Sequence, residues 1–147
     1  MNTSIATLLE RKGGAVRTVP LGVSVSEAVQ EMNHHRIGCV LVMDGPHLAG
    51  VFTERDVLTR VVAADLNPRS TPIAQVMTSG VLTIEPTATV QQVMDIFAEK
   101  RCRHLPVLKE GQLVGLISIG DVSRWVASAH RAEAESLRQY ISGGLSG

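Results

Sequence analysis

The sequence states one plan twice. Displacing the chain by 65 residues lays Val16–Ala64 on Val81–Ala129 without a gap, and 11 of the 49 paired positions are identical. The identities on the first copy are Val16, Thr18, Val25, Arg36, Val42, Leu48, Gly50, Asp56, Val57, Val61 and Ala64. Average composition would give roughly 3 by chance. Near matches add to it: Val19/Ile84, Ser24/Thr89, Met32/Phe97, Val51/Leu116 and Thr53/Ser118. The chain is therefore built from two copies of one unit. At 147 residues the pair amounts to one ordinary domain or two very small ones, large enough to hide about two-thirds of its unfolded surface.

Each copy reads as β-α-β-β-α. Strands are expected at Val16–Val19 and Val81–Ile84. Amphipathic helices follow, one opened by Ser24 or Ser26 with Val25, Ala28, Val29 and Met32 on its apolar face, the other by Thr89 with Val90, Val93, Met94 and Phe97; both keep the i, i+3, i+4, i+7 rule. Two hairpins come next: Cys39–Met43 through Asp44-Gly45-Pro46 to Leu48–Thr53, and Leu105–Leu108 through Lys109-Glu110-Gly111 to Leu113–Ser118. The closing helices run from about Glu54 to Ala64 and from Ile119 onward. A short leading helix is expected at residues 3–12, capped by Thr3 or Ser4 and ended by Lys12-Gly13-Gly14; its counterpart is Thr71–Met77. The domain plan is therefore repeat 1 over 7–64, a linker over 65–71, and repeat 2 with a helical extension over 72–141. The extension carries Val122, Trp125, Val126, Leu137, Tyr140 and Ile141 in an apolar stripe and is expected to break at Gly143-Gly144. That stripe needs cover, from the N-terminal helix, the other repeat or a partner subunit.

Composition narrows the function classes. A formal net charge of +0 leaves no electrostatic footprint for nucleic acid or an anionic membrane. Aromatics are limited to Phe52, Phe97, Trp125 and Tyr140, too few for a base-stacking platform. The longest uncharged apolar run, Ile37–Met43, is far short of the roughly 20 residues of a membrane span. Met1-Asn2-Thr3-Ser4 lacks a signal peptide's basic start. Cys39 and Cys102 make no disulfide framework. These features lead to the expectation of a cytoplasmic protein with reduced thiols.

The most informative identities sit at the strand-to-helix turns, Gly50-Val51-Phe52-Thr53-Glu54-Arg55-Asp56-Val57 and Gly115-Leu116-Ile117-Ser118-Ile119-Gly120-Asp121-Val122. A carboxylate can accept from both vicinal hydroxyls of a ribose, a hydroxyl three residues earlier can face the same point, and a helix start favours phosphate. The same spacing also makes a capping box, and the two roles can coexist.

With Thr83-Ile84-Glu85-Pro86-Thr87-Ala88-Thr89-Val90 and Arg103-His104-Leu105-Pro106-Val107 beside the doubled turns, the chain resembles a pair of CBS (cystathionine-β-synthase) domains, over nearly all of Thr7 to about Tyr140. The resemblance implies an α/β (α+β) fold of tandem repeats forming one pseudo-twofold module, with a short N-terminal and an extended C-terminal helix. It implies a stand-alone bacterial regulatory or sensor module, a homodimer, no required cofactor, and an adenosine-containing regulatory ligand: AMP, ADP, ATP, NAD(H) or S-adenosylmethionine, with AMP or NAD(H) first. It also implies two composite clefts. Carried over residue by residue, cleft A takes Thr53, Arg55, Asp56, Thr83, Ile84, Cys102, Arg103, His104 and Leu105. Cleft B takes Thr18, Val19, Ile37, Gly38, Cys39, Val40, Ser118 and Asp121. Arg55, Arg103 and His104 face Gly120, Gly38 and Cys39 at equivalent positions, so A is expected to be the better phosphate site.

Other constellations are weaker. His34, His35 and Cys39 lack zinc spacing, and adjacent histidines on a helix diverge by about 100°. Cys39 and Cys102 read as small core residues rather than redox sensors. No catalytic triad order, Walker loop or Rossmann turn is present, so a non-enzyme is expected. The alternative to a nucleotide sensor signalling to an unidentified effector protein is a ligand-independent dimerisation protein working through its C-terminal helix.

Overall fold

Eleven elements follow the doubled pattern in the computed structural model, which describes residues 2–13 and 16–146. They are α1 (Ile5–Lys12), β1 (Thr18–Pro20), α2 (Val25–His35), β2 (Cys39–Asp44), β3 (His47–Thr53), α3 (Glu54–Asp56, continued by wide i→i+5 turns over Val57–Val62), α4 (Ile73–Val76), α5 (Val90–Lys100), the strand pair β4 (His104–Lys109) and β5 (Gln112–Ser118), and α6 (Ile119–Ser146). The chain divides into two compact units: Gly14–Ile84 with Pro106–Gly115, and Met1–Gly13 with Glu85–Leu105 and Leu116–Gly147.

In the unit holding the first repeat, β1 runs parallel to β2 (Thr18 opposite Leu41) and β2 antiparallel to β3 (Val40 opposite Phe52). Ser24 caps α2, its side chain accepting from the Glu27 N–H. The buried face of α2, Val25, Ala28 and Met32, packs into a core with Val19, Val40, Val42, Phe52, Val61, Ile73 and Val76. The helix ends at Arg36, in the left-handed region at φ 54°. Its repeat equivalent Arg101 ends α5 at φ 53°, so the Arg36/Arg101 identity marks one helix stop used twice.

The expected strand Val81–Ile84 shrinks to a single parallel bridge, Ile84 to Val107. The two central ladder bonds remain, Ile84 N–H to Pro106 O at 3.0 Å and Leu108 N–H to Ile84 O at 2.8 Å. The outer two are lost to proline. In the first repeat they are donated by Leu41 (to Arg17 O, 3.2 Å) and Leu21 (to Met43 O, 2.9 Å). The residues 65 further on are Pro106 and Pro86, which have no N–H to give.

The leading helices serve each other's repeats. α4 precedes repeat 2 but joins repeat 1: Ile73 N–H donates to Val23 O and Val25 N–H to Thr71 O. α1 precedes repeat 1 but joins repeat 2: Ile5 N–H donates to Ala88 O and Val90 N–H to Thr3 O. These are the same bonds made twice. Ser4 therefore caps α1 by position only, with no side-chain bond; the first free N–H groups of α1 are taken by the Ala88 and Pro86 carbonyls instead. After α4, Thr78 pairs in both directions with Val51 at 2.9 Å. That approach needs Gly50, where a Cβ would stand 2.8 Å from the Thr78 carbonyl oxygen.

In the unit holding most of repeat 2, α1 and α5 pack on α6. Val122 is buried and Trp125 lies under the Arg11 guanidinium, 4.5 Å from its ring centre. The N-terminal helix thus covers the first part of the α6 stripe. The rest is open: Leu137, Tyr140 and Ile141 are 59%, 83% and 53% exposed. The expected break at Gly143-Gly144 does not occur, and α6 runs on to Ser146; glycine costs a helix about 1 kcal/mol but still donates its N–H.

Candidate functional site

Each strand-to-helix turn folds into the same small cage. At the first, the Thr53 N–H and hydroxyl both donate to Asp56 Oδ2, at 2.9 and 3.2 Å, and the Asp56 N–H approaches Thr53 Oγ1 at 3.4 Å. At the second, the Ser118 N–H donates to Asp121 Oδ2 at 2.8 Å and the Asp121 N–H to Ser118 Oγ at 3.1 Å. Both are capping boxes with Asp in the acidic role. Each turn is also pinned to the start of its own repeat's second strand: Glu54 N–H donates to Gly38 O at 3.0 Å, and Ile119 N–H to Arg103 O at 2.9 Å.

The carboxylates have different company. Asp56 is buried, with Arg60 Nε 3.6 Å from Oδ1; Arg60 also donates to the Val76 and Met77 carbonyls closing α4. Asp121 is gripped more tightly. Lys12 Nζ from α1 reaches Oδ2 at 2.7 Å and Arg124 Nη2 reaches Oδ1 at 2.6 Å. Burial pushes the Asp121 carboxyl up, but the Lys12 hydrogen bond, the Ser118 N–H and the Lys12 charge outweigh it and hold the pKa below the ordinary 3.8. Lys12 and Arg124 were not among the candidates read from sequence: Lys12 lies 109 residues from its partner, and Arg124 replaces Thr59 of the first copy.

Of the cleft A candidates, Thr53, Arg55, Asp56, Thr83 and Ile84 belong to the first-repeat unit and Cys102, Arg103, His104 and Leu105 to the other. Arg55 and Arg103 are exposed, Cys102, His104 and Thr83 half-buried, and Ile84 and Leu105 buried. Of the cleft B candidates, Thr18, Val19, Ile37, Gly38, Cys39 and Val40 lie together in the first-repeat unit along β1 and the start of β2, while Ser118 and Asp121 are in the other. The Glu54 carboxylate covers Gly38, 2.7 Å from where a Cβ would stand. Cys39 is buried, and His35 is paired with Glu31 at 3.0 Å. No cluster of three or more His, Cys, Asp or Glu occurs among the described residues.

The CBS domain family model matches residues 14–63 and 73–128. The chain is a tandem CBS domain protein. A mitochondrial CBS domain-containing protein of Arabidopsis thaliana is 33% identical over 97% of this chain and 74% of its own length. Among solved structures, a CBS-domain containing protein from Agrobacterium tumefaciens is 38% identical, with a TM-score of 0.78, covering 83% of this chain and 98% of its own. A CBS domain protein from Pyrobaculum aerophilum complexed with AMP is 27% identical with a TM-score of 0.72, covering 80% of this chain and 88% of its own. CBS domains are regulatory modules, and no helix among the described residues is long and apolar enough to cross a membrane.

Proposed function

We propose that this CBS protein is a cytoplasmic, non-catalytic sensor of adenosine-containing nucleotides, AMP or NAD(H) foremost, acting as a homodimer on an effector protein. Each Thr/Ser–Asp turn supplies the ribose end of one nucleotide site. The observation that carries this reading is the same carboxylate cage built twice, at Thr53/Asp56 and Ser118/Asp121, with one Asp oxygen fixed by the backbone N–H at 2.9 and 2.8 Å. A fixed carboxylate keeps lone pairs for the two hydroxyls of a ribose without reorganising. The AMP held by the Pyrobaculum aerophilum relative favours that ligand class. The exposed end of α6 favours the second reading, a dimerisation protein that ignores nucleotides. A thermal-shift series with AMP, ATP, NADH and S-adenosylmethionine separates the two. A ligand at 100 times its Kd adds about 2.7 kcal/mol of stability, which raises the Tm by several degrees for a chain of this size. No shift with any of the four would leave the interaction reading standing.

A further inference from the structure

The two turns share a plan but not a state of charge. An aspartate carboxylate offers about four lone-pair positions. At Asp56 two are used, both on Oδ2 and both by Thr53, while Arg60 stands off at 3.6 Å. Two positions remain, enough for a ribose diol. At Asp121 three are used: Ser118 N–H and Lys12 on Oδ2, and Arg124 on Oδ1. One remains, and a diol needs two, so a ribose docks on Asp121 only if a cation lets go.

The surroundings of Asp121 favour an anion. A cavity of about 350 Å³ opens beside it, lined by Leu8, Arg11 and Lys12 of α1 and by Asp121, Arg124, Trp125 and Ser128 of α6. Three cations face one carboxylate there, a local excess of positive charge in a neutral chain. The Arg124 side chain is 74% exposed and free to re-aim; Lys12, 34% exposed, is shared between Asp121 and the Leu116 carbonyl, each at 2.7 Å, and Asp121 is 10% exposed. The guanidinium of Arg124 also covers Gly120, 3.3 Å from where a Cβ would stand. The charge that Arg55 gives the first turn is thus supplied to the second by Lys12 and Arg124.

We propose that Lys12 makes the Asp121 site selective for phosphorylated nucleosides. A neutral nucleoside must displace a cation from Asp121 and offers it no second anion, leaving a displaced Lys12 only the Leu116 carbonyl, 2.7 Å away. A nucleoside phosphate frees the carboxylate by giving Lys12 and Arg124 a second anion to hold. The proposal rests on the nucleotide reading above, and calorimetry on the full chain tests the two apart. Asp56→Asn is used as background so that the Asp121 site is read alone. In that background AMP should bind at least tenfold tighter than adenosine. Adding Lys12→Met should narrow the ratio at least threefold, tightening adenosine and weakening AMP, and Lys12→Arg should keep it. An unchanged ratio in Lys12→Met overturns the selectivity role, since a merely structural ion pair would shift both ligands alike. Loss of all binding in Asp56→Asn alone also overturns it while leaving the Asp56 site in place. Failure of the unmutated chain to bind any adenosine compound overturns the nucleotide reading itself.

Discussion

Asp56 and Asp121 each do two jobs with two oxygens. One oxygen closes the capping box and the other points to a cation, at 3.6 Å for Arg60 and 2.6 Å for Arg124. Capping thus occupies one oxygen and leaves the other for a second partner. The cations make the second site pH-dependent in a definite direction. Because the folded pKa of Asp121 lies below 3.8, its ion pairs stabilise the fold fully above that value, and the contribution is lost as pH falls through the folded pKa. The Tm deficit of Asp121→Asn against the unmutated chain should then be constant near neutrality and close at pH values below 3.8. A deficit that stayed the same into strong acid would contradict the Lys12–Asp121–Arg124 arrangement.

The exchanged leading helices matter most at the scale of elements. Ile5 has no exposed surface and donates its N–H to Ala88, so α1 is a structural part of the second-repeat unit rather than a loose leader. Ile5→Ala should cost about 2–5 kcal/mol in chemical denaturation; a loss under about 0.5 kcal/mol, the range of an ordinary surface change, would mean that α1 is detachable. The helix itself was legible at residues 3–12, and so were both hairpins and the cap at Thr89, while the first cap stayed open between Ser24 and Ser26 until the Ser24 side chain met the Glu27 N–H. The destination of α1 was not legible. A displacement of 65 aligns residues but says nothing about which copy a flanking segment packs on, and the leading helices match only at 68, Thr3 with Thr71 and Ile5 with Ile73. The shortened strand before α5 was legible in principle, since Pro86 and Pro106 stand where the first copy donates two bonds; apolar periodicity at Val81–Ile84 concealed it. The doubled Asp turns were legible because they are local. Of the cations that distinguish them, Lys12 was hidden because it arrives from 109 residues away, whereas Arg124 stands one helical turn from Asp121 and is marked only by replacing Thr59 of the first copy.

Across the whole molecule, the doubled sequence gives two Thr/Ser–Asp turns of one hydrogen-bond plan and unequal charge. Sequence alone favoured the Thr53/Asp56 site for phosphate, from Arg55, Arg103 and His104. The structure adds Lys12 and Arg124 on the carboxylate at the Ser118/Asp121 turn, with Arg11 lining the cavity beside it. The most direct test of the central claim, that both Asp turns bind ribose, is calorimetric titration of AMP into the unmutated chain and into Asp56→Asn/Asp121→Asn. Asparagine keeps an acceptor for the capping N–H but loses the charge and turns one acceptor into a donor, so the cap survives and the diol is refused. If both turns bind ribose, AMP binds the unmutated chain saturably and the double variant loses at least a hundredfold in affinity at unchanged fold, as read by circular dichroism. AMP binding of undiminished affinity in the double variant would contradict the claim.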